Sequence, residues 1–277
     1  MSDHVQSSGR FGAAVSTTAV QRNNVLRNTY WLLALSMVPT VLGAWVGVAT
    51  GITAGLGGGV GLIVFLAGAF GFMFAIEKTK NSAAGVPILL AFTFFMGLML
   101  SRLVAMVLGF SNGASLIMTA FGGTAAIFFG MASLSSVIKR DLSGMGKFLF
   151  IGAIMVLVAG IANVFIQSSA LMITLSVLCI GIFSAFILYD LKRVQDGEET
   201  NYITATLGVY LSLYNVFQNL LLLLGVFGGQ GAFGPRFSCL IHQCIQRKAE
   251  MNGKPGHHHA PHHPPPADRP VRLARGL

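Results

Sequence analysis

Seven long apolar stretches alternate with short polar segments along the chain. Each is close to the roughly 20 residues that an α-helix needs to cross the hydrocarbon core of a bilayer. The stretches lack the period-2 alternation of membrane barrel strands, and a bilayer admits only helices or closed barrels. The pattern therefore predicts an all-α integral membrane protein, a seven-transmembrane-helix bundle. The predicted spans are Tyr30–Val48, Gly58–Ile76, Val86–Phe110, Leu116–Ile138, Phe148–Ile166, Leu171–Tyr189 and Ile203–Phe227.

The composition supports a membrane protein and excludes a water-facing surface of ordinary polarity. Of the 277 residues, 54% are hydrophobic and 10% are charged, and the mean hydropathy is +0.72. An average soluble domain carries roughly 25% charged residues. The chain has three cysteines, which do not make a disulfide framework. No removable signal peptide is recognisable, so the first apolar run is expected to act as an uncleaved anchor.

The polar segments divide the chain into three parts: an N-terminal segment over residues 1–29, a membrane domain over 30–228 and a tail over 229–277. The tail is rich in His, Pro and Arg, and such a sequence cannot bury enough apolar surface to fold, so we predict that it is disordered. A non-native extension from a shifted reading frame would explain the abrupt change in composition. Cys239, His242 and Cys244 match no structural zinc spacing, so no metal site is predicted.

The distribution of Lys and Arg predicts the orientation in the membrane. Ten basic residues lie in the N-terminal segment and in the second, fourth and sixth loops, and the other three loops contain none. They are Arg10, Arg22, Arg27, Lys78, Lys80, Lys139, Arg140, Lys147, Lys192 and Arg193. The positive-inside rule then places the N-terminus in the cytoplasm and the C-terminus in the periplasm. The net charge of +9 is spread over loops and tail without interleaved aromatic residues, so no nucleic-acid partner is expected.

Three ionisable residues lie in or at the ends of predicted spans: Glu77, Arg102 and Asp190. Such groups are costly at membrane depth and are therefore candidates for function. Arg102 can extend its side chain to the headgroups. Asp190, at the predicted end of helix six, leaves two alternatives open. It pairs with a nearby cation at the membrane boundary, or it is a buried carboxylate that senses pH or a cation.

Helix seven carries the most informative polar pattern. At about 100° per residue, five polar or small residues fall on one stripe: Thr204, Gly208, Ser212, Asn215 and Asn219. An adjoining face carries Tyr210, Tyr214 and Gln218. Amides and hydroxyls avoid lipid, so the stripe is expected to face other helices, as packing contacts, or a water-filled conduction path. Asn163 and Gln167 of helix five are its expected partners.

Small residues spaced four apart predict close helix contacts, because each pair lies on one helix face. The pairs are Gly43 with Gly47, Gly57 with Gly61, and Ala126 with Gly130.

The residues that intramembrane enzymes require are missing from the predicted spans. All seven histidines lie in the terminal segments, which excludes a Ser–His dyad or a helical zinc site in the bundle. No Asp lies at a helix centre, and no Gly-rich phosphate loop is present. We therefore predict no enzyme, no catalytic residue and no cofactor.

Several motifs, in order along the chain, resemble those of a known family. They are Leu26-Arg-Asn-Thr-Tyr30, the run from Pro87 to Gly97, Ile187-Leu-Tyr-Asp190, the run from Gly197 to Thr206, and Tyr210-Leu-Ser-Leu-Tyr-Asn-Val-Phe217. Together they resemble the Bax inhibitor family of seven-helix membrane proteins, in particular its bacterial branch, the modulators of FtsH protease. The resemblance covers about residues 20–228 and leaves the tail unmatched.

The resemblance implies a bacterial inner-membrane bundle in which the other helices surround helix seven. It also implies binding to the membrane-anchored, ATP-dependent FtsH complex and restraint of its degradation of membrane proteins. The N-terminal segment is the expected contact with FtsH, with Arg22, Leu26, Arg27 and Asn28 as candidates.

The family implies an alternative function as well, because some members are pH-sensitive calcium leaks with an aspartate pair as sensor. Asp190 matches the first aspartate, and Asn215 matches the second. Asn215 cannot ionise, so an Asp–Asn pair loses the shared proton that couples two carboxylates. Asp190, Asn215, Asn219, Tyr214 and Gln218 are the candidates for pH sensing or an ion path. The alternative is therefore a pH-sensitive cation leak, for calcium or protons, through the bundle centre.

Overall fold

A computed structural model describes residues 4–53, 55, 58–139, 142 and 144–228, and within these ranges the chain forms seven α-helices and no strand. The helices are α1 (His4–Thr50), α2 (Gly58–Thr79), α3 (Gly85–Leu108), α4 (Gly113–Val137), α5 (Met145–Ile166), α6 (Ser169–Asp196) and α7 (Tyr202–Gly228). All seven are long and apolar enough to cross a membrane. The predicted all-α, seven-helix membrane fold is confirmed.

Two helices extend beyond the apolar runs that predict them. α1 begins at His4, so most of the segment 1–29 continues the first span as helix. α6 ends at Asp196 because Gly197 has a left-handed φ of 83°, a conformation that commonly stops helices. The expectation that Asp190 ends helix six is therefore wrong: Asp190 lies more than one turn inside α6.

The closest helix contact joins α1 and α3 through glycines. A Cβ added at Gly43 would fall on the carbonyl oxygen of Phe94, and one at Gly47 would fall on the Ser101 side chain. From the opposite side, a Cβ at Gly97 would fall on the Thr40 carbonyl oxygen. Backbones this close require residues without side chains, so the Gly43–Gly47 prediction is confirmed.

The other two small-residue pairs have different outcomes. No atom lies within 4 Å of a Cβ placed at Gly130, so the predicted contact of the Ala126–Gly130 pair is wrong at this residue. The face is exposed. Gly57 lies outside the described residues, so the Gly57–Gly61 contact stays a prediction.

α7 packs against α1, α2, α3, α4 and α6. Its largest fully buried side chain, Tyr210, lies in the main core cluster with Phe92 and Met96 of α3 and Ile187 of α6. α5, by contrast, packs mainly against α6 and has no buried residue. That the other helices surround α7 stays a prediction, as does the orientation of the termini. The tail 229–277, with Cys239, His242 and Cys244, lies outside the described residues.

Candidate functional site

The start of α7 is held in place by Asn201. Its side-chain oxygen accepts hydrogen bonds from the backbone N–H groups of Ile203 (2.9 Å) and Thr204 (3.3 Å), which would otherwise have no helical partner. Its amide nitrogen donates to the carbonyl oxygen of Lys80 at 3.0 Å. Asn201 therefore fixes α7 against the loop between α2 and α3, next to the site of interest.

Asp190 lies beside a cavity of ≈ 190 Å³ that Glu199, Thr204 and Gly208 also line. A Cβ at residue 208 would lie 3.0 Å from Oδ2 of Asp190. The residue of α7 that faces Asp190 is therefore Gly208, and its missing side chain leaves room for the carboxylate. The Oγ1 atom of Thr204 is buried and has no hydrogen-bond partner in the described structure.

The cations that follow Asp190 pair with other acidic residues. Lys192 contacts Asp196 at 2.6 Å, and Arg193 lies 3.6 Å from both Glu198 and Glu199. Arg193 is close enough to attract the Asp190 carboxylate through space, and Glu199 is close enough to repel it. Across the described ranges no ion pair reaches Asp190 itself. Of the cation-pairing alternative for Asp190, only the longer-range attraction by Arg193 therefore remains.

The structure does not bring Asp190 and Asn215 together. Asn215 is seven residues beyond Gly208, which is about 10 Å along the helix axis at about 1.5 Å per residue. Its amide donates to the carbonyl oxygen of Leu211 at 2.8 Å, inside α7. The two residues therefore do not form the pair that the family resemblance suggests.

The remaining amide of the stripe, that of Asn219, is bound close to its own backbone. The Asn219 amide donates to the carbonyl oxygen of Asn215 at 2.8 Å, and its side chain also contacts the Cys179 thiol of α6. Ser212 is buried and Gln218 is half-buried. The Asn215 and Asn219 amides are satisfied by short-range bonds within α7, which is how packing residues in a membrane bundle behave.

The tyrosines of the adjoining face make long-range hydrogen bonds from α7 to α1 and α3. The Tyr210 hydroxyl shares a hydrogen bond of 2.9 Å with Oγ1 of Thr40 in α1 and donates to the Thr93 carbonyl oxygen of α3 at 3.4 Å. The Tyr214 hydroxyl donates to the Met96 carbonyl oxygen at 3.4 Å. Sequence reasoning missed Thr40 and Thr93, since neither belongs to a polar stripe.

The expected partners in helix five lie elsewhere. The side-chain oxygen of Asn163 accepts from the backbone N–H of Ser168 at 3.1 Å and joins α5 to α6. Gln167 ends α5 with a left-handed φ of 55° and is exposed. The prediction that these two residues bind the polar stripe of α7 is wrong, because they close the turn between two neighbouring helices.

The candidate contact residues of α1 lie on an accessible part of the helix. Arg22, Arg27 and Asn28 are exposed, whereas Leu26 is half-buried. Thr29 is buried on the inner side, where its carbonyl oxygen accepts a hydrogen bond from Thr206 of α7 at 3.4 Å. α1 is therefore anchored at this level, and its cationic side stays free for another molecule.

Within the part of the chain that the structure describes, no three His, Cys, Asp or Glu residues are close enough to hold a metal ion. Asp190 and Glu199 alone line the cavity as acidic groups. The arrangement can hold a proton or a hydrated ion, and it lacks the donor set of a structural metal centre.

Comparison with known proteins places these features in context. The family described as Inhibitor of apoptosis-promoting Bax1 matches residues 22–229. Modulator of FtsH protease YccA of Escherichia coli K12 is 37% identical over 209 residues, which cover 76% of this chain and 93% of that protein. Inner membrane protein YccA of E. coli O6:H1 has the same identity and coverage. An uncharacterized membrane protein of Vibrio cholerae is 36% identical over 207 residues, 75% of this chain and 91% of its own length.

Proposed function

Because this chain belongs to the Bax inhibitor family, we propose that it binds the FtsH membrane protease complex and modulates the degradation of membrane proteins. The observation that carries the proposal is the 37% identity to a modulator of FtsH protease, matched over 93% of that relative's length. The relative named an inner membrane protein and the seven spanning helices support a multi-pass protein of the inner membrane. The protein acts as a regulator rather than as an enzyme.

The geometry supports binding through the exposed residues Arg22, Arg27 and Asn28 of α1. Arg22, Arg27 and Asn28 project from a helix that Thr29 anchors to α7, so a partner can engage them without opening the bundle. The predicted cytoplasmic N-terminus places this surface on the side where an ATP-dependent protease works. Most polar groups of α7 form hydrogen bonds within the bundle and are therefore not available to a partner, which also favours binding through α1.

Site-specific photocrosslinking tests the contact. A photoreactive amino acid is placed at Arg22 or Asn28, and at Phe165 as a control that is 81% exposed near the end of α5. Crosslinked complexes are then purified and probed for FtsH. We expect FtsH adducts at the two α1 positions and none at residue 165. If no position yields FtsH, and the protease does not co-purify in mild detergent, the proposal fails for this chain.

The cavity beside Asp190 favours a second candidate function, a pH-sensitive leak for calcium or protons. Asp190 and Glu199 offer two acidic groups at one end of the bundle, and Arg193 offers the opposing charge. Tyr210 and Tyr214, which bond α7 to α1 and α3, argue for a closed centre in this state.

Flux from liposomes at pH 6 and pH 8 tests the leak, as values on either side of neutrality. The informative variant is Asp190→Asn, and the matched control is Asp196→Asn, which removes an acid that pairs with Lys192 at the helix end. A leak that depends on Asp190 loses its pH response in the first variant alone. Equal flux in the wild type, both variants and empty liposomes would exclude this function.

A further inference from the structure

A groove runs along the outer side of the bundle between residues 28–35 of α1 and the start of α7. It has a volume of ≈ 550 Å³, which is in the range of small-ligand sites. Its lining combines apolar and polar side chains: Asn28, Trp31, Leu32, Ala34, Leu35 and Tyr202. The groove belongs neither to the cavity of Asp190 nor to the tyrosine contacts of α7.

The two ends of the groove differ in chemistry. Leu35 and Trp31 are 49% and 73% exposed and continue into the apolar outer surface of α1. Asn28 and Tyr202 supply an amide and a phenol at the other end. Trp and Tyr are enriched at the headgroup level of membranes, so we expect this end of the groove to lie where acyl chains meet headgroups.

The charge at the polar end is positive and uncompensated. Arg27 precedes Trp31 by four residues and therefore lies on the same face of α1. Among the described residues neither Arg22 nor Arg27 forms an ion pair, and α1 has no acidic residue between Arg22 and Thr50. The acids that follow α6, Glu198 and Glu199, are engaged by Arg193.

We propose that this groove binds an anionic phospholipid, with an acyl chain along Trp31 and Leu35 and the phosphate beside Arg27 and Asn28. A cation next to an apolar groove at headgroup depth matches the two halves of a phospholipid. The cation alone, or the apolar groove alone, would not distinguish this site from the general lipid contact of a membrane helix. The proposal is independent of FtsH, because it concerns the purified chain and its lipids.

The two tryptophans of the chain make a matched pair of reporters. Trp31 lies in the groove, and Trp45 is similarly exposed, at 67%, near the other end of α1, where the neighbouring loop has no Lys or Arg. The variant Trp45→Phe isolates the first reporter and Trp31→Phe isolates the second. Each is reconstituted in vesicles of equal parts phosphatidylglycerol and phosphatidylcholine, with bromine on the acyl chains of one lipid or of the other.

Bromine quenches the fluorescence of a tryptophan that it touches, so the two vesicle types report which lipid occupies each position. We expect Trp31 to prefer phosphatidylglycerol roughly fivefold, the effect of one basic residue near a membrane surface. Trp45 is expected to show no preference. In the Trp45→Phe background, Arg27→Gln is expected to abolish the preference of Trp31. The control Arg22→Gln removes the same charge nine residues from Trp31, on the opposite helix face, and is expected to leave the preference in place.

Three results would overturn the proposal. Equal quenching of Trp31 by both lipids would show ordinary lipid exposure. An equal loss of preference in Arg27→Gln and Arg22→Gln would indicate a diffuse surface potential. If neither brominated lipid quenches Trp31, then protein, such as a second copy, covers the groove. The comparison of the two tryptophans tests the lipid preference at Trp31 even if an arginine variant does not fold.

Discussion

The contact between α1 and α3 gives a prediction whose size can be worked out from the structure. In Gly97→Ala the new Cβ would lie 2.9 Å from the carbonyl carbon of Thr40 and 3.0 Å from the nitrogen of Ala44. These are backbone atoms of α1, so no side chain can turn away to relieve the overlap. The two helices must separate, and overpacking of this kind costs about 1–3 kcal/mol. Because the obstacle is backbone, we expect the upper part of this range.

Gly130→Ala is the matched control, since no atom lies within 4 Å of a Cβ at that position of α4. Both changes replace a helical glycine by alanine and gain about the same helix propensity, up to about 1 kcal/mol. The difference in unfolding free energy between the variants therefore isolates the overpacking cost. Equilibrium unfolding in mixed micelles containing sodium dodecyl sulfate, followed by circular dichroism, measures it. Equal stability of the two variants would refute the close packing of α1 on α3.

Three further predictions concern hydrogen bonds between elements. Tyr210→Phe removes the bond to Thr40 (2.9 Å) and should lower the unfolding free energy by about 0.6–2 kcal/mol in the same micelle assay; unchanged stability would contradict it. Asn201→Ala removes the cap of α7, which is worth about 0.5–2 kcal/mol. Hydrogen exchange should therefore be faster at the first amides of α7 in the variant. Exchange rates equal to those of the wild type would contradict the capping role. Gln195 donates to Ser135 of α4 at 2.8 Å, and replacing either residue by alanine should lower the unfolding free energy by about 0.5–1.5 kcal/mol. The double alanine variant should lose no more than about one such bond. If the two losses add in full, the hydrogen bond between the two side chains is disproved.

The sequence predicts the seven spans because the bilayer imposes a length and a composition on every crossing helix. The helix ends depend on more local features. α6 continues past the apolar run, where Lys192 and Asp196 pair one turn apart, and it stops where Gly197 adopts a positive φ. Neither feature changes the hydropathy pattern, so the position of Asp190 relative to the helix end could not be predicted from it.

Helical periodicity predicts which residues share a face, but not which neighbour lies against that face. Gly43 and Gly130 have the same kind of spacing, yet only Gly43 meets another backbone. In the same way, the stripe through Asn215 is real, but Gly208 is the position that meets Asp190. The side chain of Asn163 accepts a hydrogen bond from the backbone N–H of Ser168, five residues away, instead of binding α7. These outcomes depend on the packing of the helices, which one sequence does not contain.

The rate of proteolysis in a reconstituted system measures whether this chain modulates FtsH. FtsH from the same organism is placed in liposomes with a membrane-protein substrate, ATP and increasing amounts of this chain. We predict that substrate degradation slows as the chain is added, relative to liposomes that contain FtsH and substrate without the chain. The same degradation rate at every amount of the chain, with both proteins shown to be in the same vesicles, would contradict the proposed role.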